Sequence, residues 1–257
     1  METSNLHKDV SQTLELYLQS LPNVVAAWEG GAVATGFADQ YSDLDLLIVI
    51  SDDQVEPIFI GLEALLAGKY GISRKFRMPE PAWHGMSQCF YLLDKQEDFF
   101  YCDIAILNQD KSEKFTEPDR HGHARIWFDK VNIYKADPSS QQTITTMGKR
   151  IYKMVTDTDF LSLLELEKAI TRKNFLASHM NYTIFLNRHL IPLMNLKFRP
   201  AKADFGIRYA DREYPETEAR MLEQLLKNSS FADIISNYNH AKAMYQELKQ
   251  ELGNTCS

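Results

Sequence analysis

Trp28 to Ile50 reads WEGGAVATGFADQYSDLDLLIVI. One apolar run closes at Gly30-Gly31, a polar loop follows, and Ser42-Asp43-Leu44-Asp45 opens a second apolar run. Successive side chains on a strand alternate faces, so Asp43 and Asp45 project to one side and Leu44 to the other. Two carboxylates so placed suit a hard divalent ion, because Mg²⁺ takes oxygen ligands from one or two carboxylates together with phosphate oxygens. The missing Cβ atoms of Gly30 and Gly31 let backbone N–H groups approach a phosphate closely, and Ser42 adds a hydroxyl donor. Downstream, Phe99 to Leu107 (FFYCDIAIL) sets Asp103 alone in an apolar strand. A carboxylate there needs a partner or a metal. If that strand lies beside the first, three carboxylates converge; a lysine or arginine paired to Asp103 is the other reading.

Working outward, Val10 to Leu21 carries apolar residues at helical spacing and ends before Pro22. Val24 to Trp28 and Leu44 to Ile50 read as strands, the second buried on both faces. A helix runs from near Pro57 to about Ala67. Two or three further strands follow, Gln88 to Leu93 and Phe99 to Leu107 being the clearest, joined by a hairpin at Asp94 to Asp98. Lys111 to Arg125 is polar and irregular, and Ile126 to Tyr134 is a short strand. After Pro138 the pattern turns helical: Thr143 to Val155, Asp159 to Leu190, Thr217 to Lys227 and Phe231 to Leu252, with Pro192 and Pro200 in a loop between the second and third. The expected organisation is mixed α and β over 1–137 and all helix over 138–257, an α+β chain.

Composition narrows the class. At 44% hydrophobic and 25% charged the chain is ordinary for a globular protein. No apolar run is long enough to cross a bilayer, and the N-terminal METSNLHKDV shows no secretory signal. Three cysteines without CxxC spacing fit a reducing cytoplasm better than disulfides or zinc. A net charge of -7 argues against a grip on long nucleic acid, which needs a basic face.

The residues around Asp43 resemble the nucleotidyltransferase superfamily of the DNA polymerase β type, especially its aminoglycoside and lincosamide branch. The pattern there is a strand, Gly-Gly-Ser or Gly-Ser, about ten residues, then Ser-Asp-x-Asp and a third acid on a later strand. Gly30-Gly31-Ala32 stands at the glycine signature, Ser42-Asp43-Leu44-Asp45 at the metal motif, and Asp103 at the third acid. HGHARIWFDK (121–130) and DFGIRYADREYP (204–215) are similar to segments of uncharacterised bacterial proteins in the same superfamily. The resemblance implies a mixed-sheet catalytic domain followed by a helical substrate-binding domain. It implies two Mg²⁺ ions on Asp43, Asp45 and Asp103, with ATP or another nucleoside triphosphate as co-substrate. Gly30, Gly31, Ala32 and Ser42 would contact the nucleotide, joined by Arg172 and Lys173 from the long helix. A nucleoside monophosphate, AMP in the favoured case, would pass to a hydroxyl of a small molecule such as an aminoglycoside-like antibiotic. Two positions depart from the pattern: Ala32 replaces the signature serine, and Thr35 stands where relatives often carry arginine. They leave open a nucleotide-binding protein with little turnover, and the resemblance to antitoxin-type relatives leaves open an enzyme acting on a protein partner.

Other polar residues have more ordinary readings beside these. Glu165, Glu167, Glu80 and Glu97 are alternatives to Asp103 as the proton acceptor. Arg172 and His179, with six residues between them, resemble the Arg-x4–6-His signature of HEPN ribonucleases, or decorate a helix surface. His121 and His123 shape a loop, because no third ligand for zinc stands nearby. Asp204, Arg208, Tyr209, Asp211 and Arg212 form an acceptor site or a set of caps and ion pairs. Trp28, Trp83 and Trp127 are packing residues.

Overall fold

The computed structural model describes residues 3–80, 82, 84–94 and 99–256. Trp83, Glu97 and the hairpin residues 95–98 lie outside the described residues, as does the side chain of Cys256. The chain folds as two compact units, Met1–Pro138 and Ser139–Ser257. Among the described residues no helix is long and apolar enough to cross a membrane.

The first unit is a mixed sheet with helices, in chain order α1 (Asn5–Ser20), β1 (Val24–Glu29), α2 (Gly31–Thr35), β2 (Leu44–Ile50), α3 (Val55–Tyr70), β3 (Ile72–Arg77), β4 (Ser87–Leu93), β5 (Cys102–Asn108), α4 (Pro118–His121) and β6 (Arg125–Asp129). The strand order is β3-β4-β5-β2-β1-β6. Among the described residues only β2 and β5 run parallel, from Leu44 opposite Cys102 to Ile50 opposite Asn108; the other neighbours are antiparallel. The expected polar loop after Gly31 is instead the short helix α2, closed by Gly36 in the left-handed conformation at φ 74°.

Alternation sorts the strands onto two faces. Leu44, Leu46, Ile48 and Ile50 of β2 and Cys102, Ile104 and Ile106 of β5 pack with Val10, Leu14 and Leu18 of α1 and Ile58, Phe59, Leu62 and Leu66 of α3. Each fully buried leucine contributes about 2 kcal/mol. On the opposite face, Val25, Ala26, Trp28, Leu47, Val49 and Leu107 lie beneath Phe115, Ala124, Ile133 and Tyr134. Among the described residues, that cluster takes Leu47 and Val49 from β2 and Leu107 from β5, and none from the first residues of either strand. Asp45 and Asp103 belong to this second face, by alternation with Leu47 and Ala105.

The second unit is helical: α5 (Gln141–Thr171), α6 (Phe175–Phe185), α7 (Ile191–Phe198), α8 (Ala210–Glu213), α9 (Glu216–Leu226) and α10 (Phe231–Cys256). The break expected near residue 157 is absent. Thr156 and Thr158 direct their hydroxyls to the carbonyls of Tyr152 and Met154, at 2.9 Å each, so α5 passes through without an exposed polar break. The chain turns instead at Arg172 to Asn174, where Lys173 adopts φ 55° and Asn174 accepts the Ala177 N–H at 3.1 Å to start α6. Nor does Pro192 stand in a loop. A π-helical turn at Leu186–Leu190, closed by the Ile191 N–H on Leu186 O, lets the helix continue past it.

Candidate active site

Asp45 and Asp103 are register partners on the two parallel strands, and Asp43 immediately precedes β2, hydrogen-bonded to Tyr101. All three are half-buried. Their fields meet at Tyr101. Burial, a hydrogen bond to Asp43 and the charges of Asp43, Asp45 and Asp103 all push its phenol upward. Burial beside Asp43 and Asp103 likewise lifts the Cys102 thiol to about 12. Three like charges around one ring repel one another, and each carboxylate has its own neighbour. Asp43 takes Tyr101, Asp45 lies against Gly31, and Asp103 accepts from Gln88 Nε2 at 2.6 Å. Accordingly, among the described residues no group of three or more His, Cys, Asp or Glu stands drawn together to hold a metal ion. The donor set is nonetheless all oxygen, the chemistry a hard ion requires. Strand register sets two of the three side by side.

Gly31 has a steric duty that its sequence position did not reveal. It sits at φ 54°, and a Cβ there would come within 1.5 Å of Asp45 Oδ2. The Gly30 N–H donates to Asp45 O at 2.8 Å, tying the glycine turn to β2. Ser42 donates to Asp39 Oδ1 at 3.1 Å and accepts from the Asp39 N–H at 2.9 Å, so it shapes the turn ahead of Asp43. Thr35 donates to Gly31 O and Ala32 O of its own helix. Ala32 offers only backbone.

Four contributors were missed. Glu29, at the end of β1, is 1% exposed. His7 Nε2 stands 2.8 Å from its Oε1, at ion-pair distance but without hydrogen-bond alignment, and Arg125 pairs with its Oε2. The 121–125 segment clamps α2: the His123 N–H donates to Ala34 O at 2.8 Å. A Cβ on Gly122 would lie 2.2 Å from that same oxygen. His121, the last residue of α4, and His123 thus flank the glycine of a clamp. Gln88 belongs to an oriented chain in which the Met86 N–H donates to His84 Nδ1 at 3.1 Å, leaving His84 Nε2 to donate to Gln88 Oε1 at 2.8 Å. The Gln88 amide is thereby turned to donate to Asp103. In sequence, Glu29 and Gln88 show only as a charge and an amide at the ends of apolar runs, and Gly122 and Arg125 carry no such signal.

Residues of the second unit are accounted for within it. Arg172 and Lys173 form the α5–α6 turn. Glu167 is held by Lys242 and Tyr238, with its carboxyl lowered chiefly by Lys242, and Glu165 pairs with Lys168. In the first unit Glu80 pairs with Arg77 at 2.7 Å, which lowers its carboxyl. The 204–212 cluster follows Arg199, which donates to the carbonyls of Gly206 at 2.5 Å and Arg208 at 2.6 Å. Arg212 stands 3.6 Å from Asp211, and the Arg208 guanidinium lies over the Tyr209 ring. Trp28 is buried edge-on to Tyr134, and Trp127 packs at the margin of the α1–α3 core.

No protein-family model matches the chain, and no curated protein matches it significantly. Among solved structures it is similar to an aminoglycoside 6-adenyltransferase from Bacillus subtilis, at 9% identity and TM-score 0.33 over 97% of this chain and 89% of that one. A nucleotidyltransferase-like protein from Exiguobacterium sibiricum gives 10% identity and TM-score 0.40 over 98% and 77%. A spectinomycin adenyltransferase from Enterococcus faecialis, solved with ATP and spectinomycin, gives 11% and 0.30 over 97% and 99%. At such low similarity the chemistry must be argued from this chain's own residues.

Proposed function

We propose that the chain is a Mg²⁺-dependent nucleotidyltransferase. It would move a nucleoside monophosphate, AMP from ATP in the favoured case, onto a hydroxyl of a small molecule. The observation that supports this reading is the pairing of Asp45 with Asp103 on adjacent parallel strands, with Asp43 meeting both at Tyr101. Bound by these three acids, Mg²⁺ would neutralise charge on the entering and leaving oxygens. With the Gly30 N–H engaged by Asp45 O, the turn would present the backbone N–H groups of Gly31 and Ala32 to the terminal phosphates, and Ser42 holds the loop that presents Asp43. The acceptor oxygen attacks the α-phosphorus, and the bond to pyrophosphate breaks with its electron pair leaving on pyrophosphate. Asp103 takes the hydroxyl proton; Glu165, Glu167 and Glu80 are engaged with basic partners. An aminoglycoside-like antibiotic is one acceptor of the required kind.

Incubation with Mg²⁺, labelled nucleoside triphosphates and a panel of hydroxyl acceptors tests the reading. Pyrophosphate release with transfer of label is the expected result, and neither in any combination would overturn it. Ala32 and Thr35 favour a second reading, a nucleotide binder without turnover, since neither offers a side-chain contact to the phosphates. Calorimetric binding of Mg²⁺-ATP without pyrophosphate release would select it.

Gln88 supplies a further check. Gln88→Leu keeps the strand but removes the donor that orients Asp103, so Mn²⁺ affinity, read by electron paramagnetic resonance, falls about tenfold. Circular dichroism stays unchanged. Equal Mn²⁺ affinity in the two proteins would mean that Asp103 needs no orienting partner.

A further inference from the structure

One row of side chains crosses the sheet at right angles to the strands: Asp45 on β2, Asp103 on β5, Phe90 on β4 and Phe76 on β3. All four belong to the face away from α1 and α3, because Cys89, Tyr91 and Leu93 of β4 alternate into the core on the other side. Phe76 stacks on Phe90 with centroids 6.2 Å apart and planes at 22°, and Phe90 meets Tyr101 at 6.3 Å. Phe76 is 57% exposed and Tyr101 36%. Cross-strand pairing accounts for the contact between Phe76 and Phe90. It does not account for an aromatic surface left to solvent on an edge strand, where natural sheets favour charge, in line with two carboxylates.

The chemistry of the proposed transfer assigns this strip a use, and the inference rests on that reading. The pyrophosphate end of the nucleotide belongs at the glycine turn, beside Asp45. In phosphoryl transfer the entering and leaving oxygens lie roughly in line. The entering oxygen therefore comes from the far side of Asp103, over Phe90, Tyr101 and Phe76. The ribose oxygen is an equatorial substituent of the phosphorus, so the nucleoside leaves to the side of the row. We infer that Phe76, Phe90 and Tyr101 form the acceptor-binding strip, and that the acceptor is a hydroxyl compound carried on a ring whose flat face lies on these side chains. An open-chain polyol has no such face.

Saturation-transfer NMR on the full chain tests this with three probes: phenyl β-glucoside, methyl β-glucoside and sorbitol. The first carries an aromatic and a saturated ring, the second a saturated ring only, and the third none. At least one ring probe should bind the wild-type protein while sorbitol does not. Phe76→Ala and Phe90→Ala should each weaken that probe about tenfold, and Phe76→Trp should restore it. Phe76 is largely exposed, so its replacement keeps the fold, and a thermal melt checks this. Calorimetry with Mg²⁺ and a non-hydrolysable ATP analogue is run alongside. Loss of nucleotide binding in Asp45→Asn but not in Phe76→Ala separates the nucleotide from the acceptor end. The inference is overturned if neither ring probe binds, if sorbitol binds equally well, if the alanine variants bind as wild type does, or if adenosine displaces the ring probe from Phe76. Should the ring probe depend on Phe76 while Asp45→Asn still binds nucleotide normally, the ring site stands and the transferase reading fails.

Discussion

Asp45→Asn should abolish binding of Mg²⁺-ATP and lower kcat/KM for pyrophosphate release by about a thousandfold, equivalent to about 4 kcal/mol. Asparagine keeps the shape that fills the space against Gly31, so the glycine turn and β2 retain their packing. What it removes is one of the negative charges facing Tyr101. A carboxylate offers oxygen on both sides, whereas the amide presents N–H₂ on one, which repels a cation. Repulsion from Asp43 and Asp103 is relieved at the same time, so the melting temperature should not fall. Loss of nucleotide binding at undiminished stability distinguishes a ligand role from a structural one. Equal nucleotide affinity in variant and wild type would remove Asp45 from the site.

The second large effect is on stability. Arg199→Met should cost about 3–5 kcal/mol, the usual consequence of stripping one partner from a buried ion pair. Arg199 is 7% exposed. Its guanidinium donates to Asn195 Oδ1 and Glu213 Oε2 at 2.7 Å each, as well as to the backbone of Gly206 and Arg208, and it lies 5.1 Å over Tyr214. Asn195, fully buried, completes the knot by donating to Gly206 O at 2.9 Å and accepting from the Tyr214 hydroxyl at 2.5 Å. Methionine fills part of the volume and leaves three carbonyls and a carboxylate short of a donor. Urea denaturation followed by circular dichroism measures the loss, and Arg199→Met combined with Glu213→Leu should recover part of it. A single variant as stable as wild type would show that Lys202, which also pairs with Glu213, suffices.

These two residues illustrate how differently the two units could be read in advance. Asp45 stands out because a strand repeats every two residues, and a carboxylate interrupts an otherwise apolar run. Arg199 does not, because its partners are carbonyls and a glutamate brought together by the turns after α7. The DFGIRYADREYP stretch was visible as a polar cluster, but nothing in it distinguishes a ligand site from a loop tied down by an arginine that precedes it. The helix break was misplaced for a related reason. Thr156, Asp157 and Thr158 look like a turn until their hydroxyls find carbonyls in the preceding turn. Lys173 and Asn174 look helical until the chain must reverse.

Sequence alone determined the strand limits at Leu44 and Ile50, the placing of Asp45 within that strand, the apolar setting of Asp103 and the change to helix after Pro138. All of these follow from local periodicity and composition. Tertiary structure decided that β5 lies parallel beside β2, so that Asp103 meets Asp45 in register. It also paired Arg125 with Glu29, brought Gly122 against α2, gave Asp103 an oriented amide at Gln88, and aligned Phe90 and Phe76 with the acids. Each of those relations joins residues far apart in the chain. Their geometry is set by strand pairing and buried charge, which no local pattern encodes.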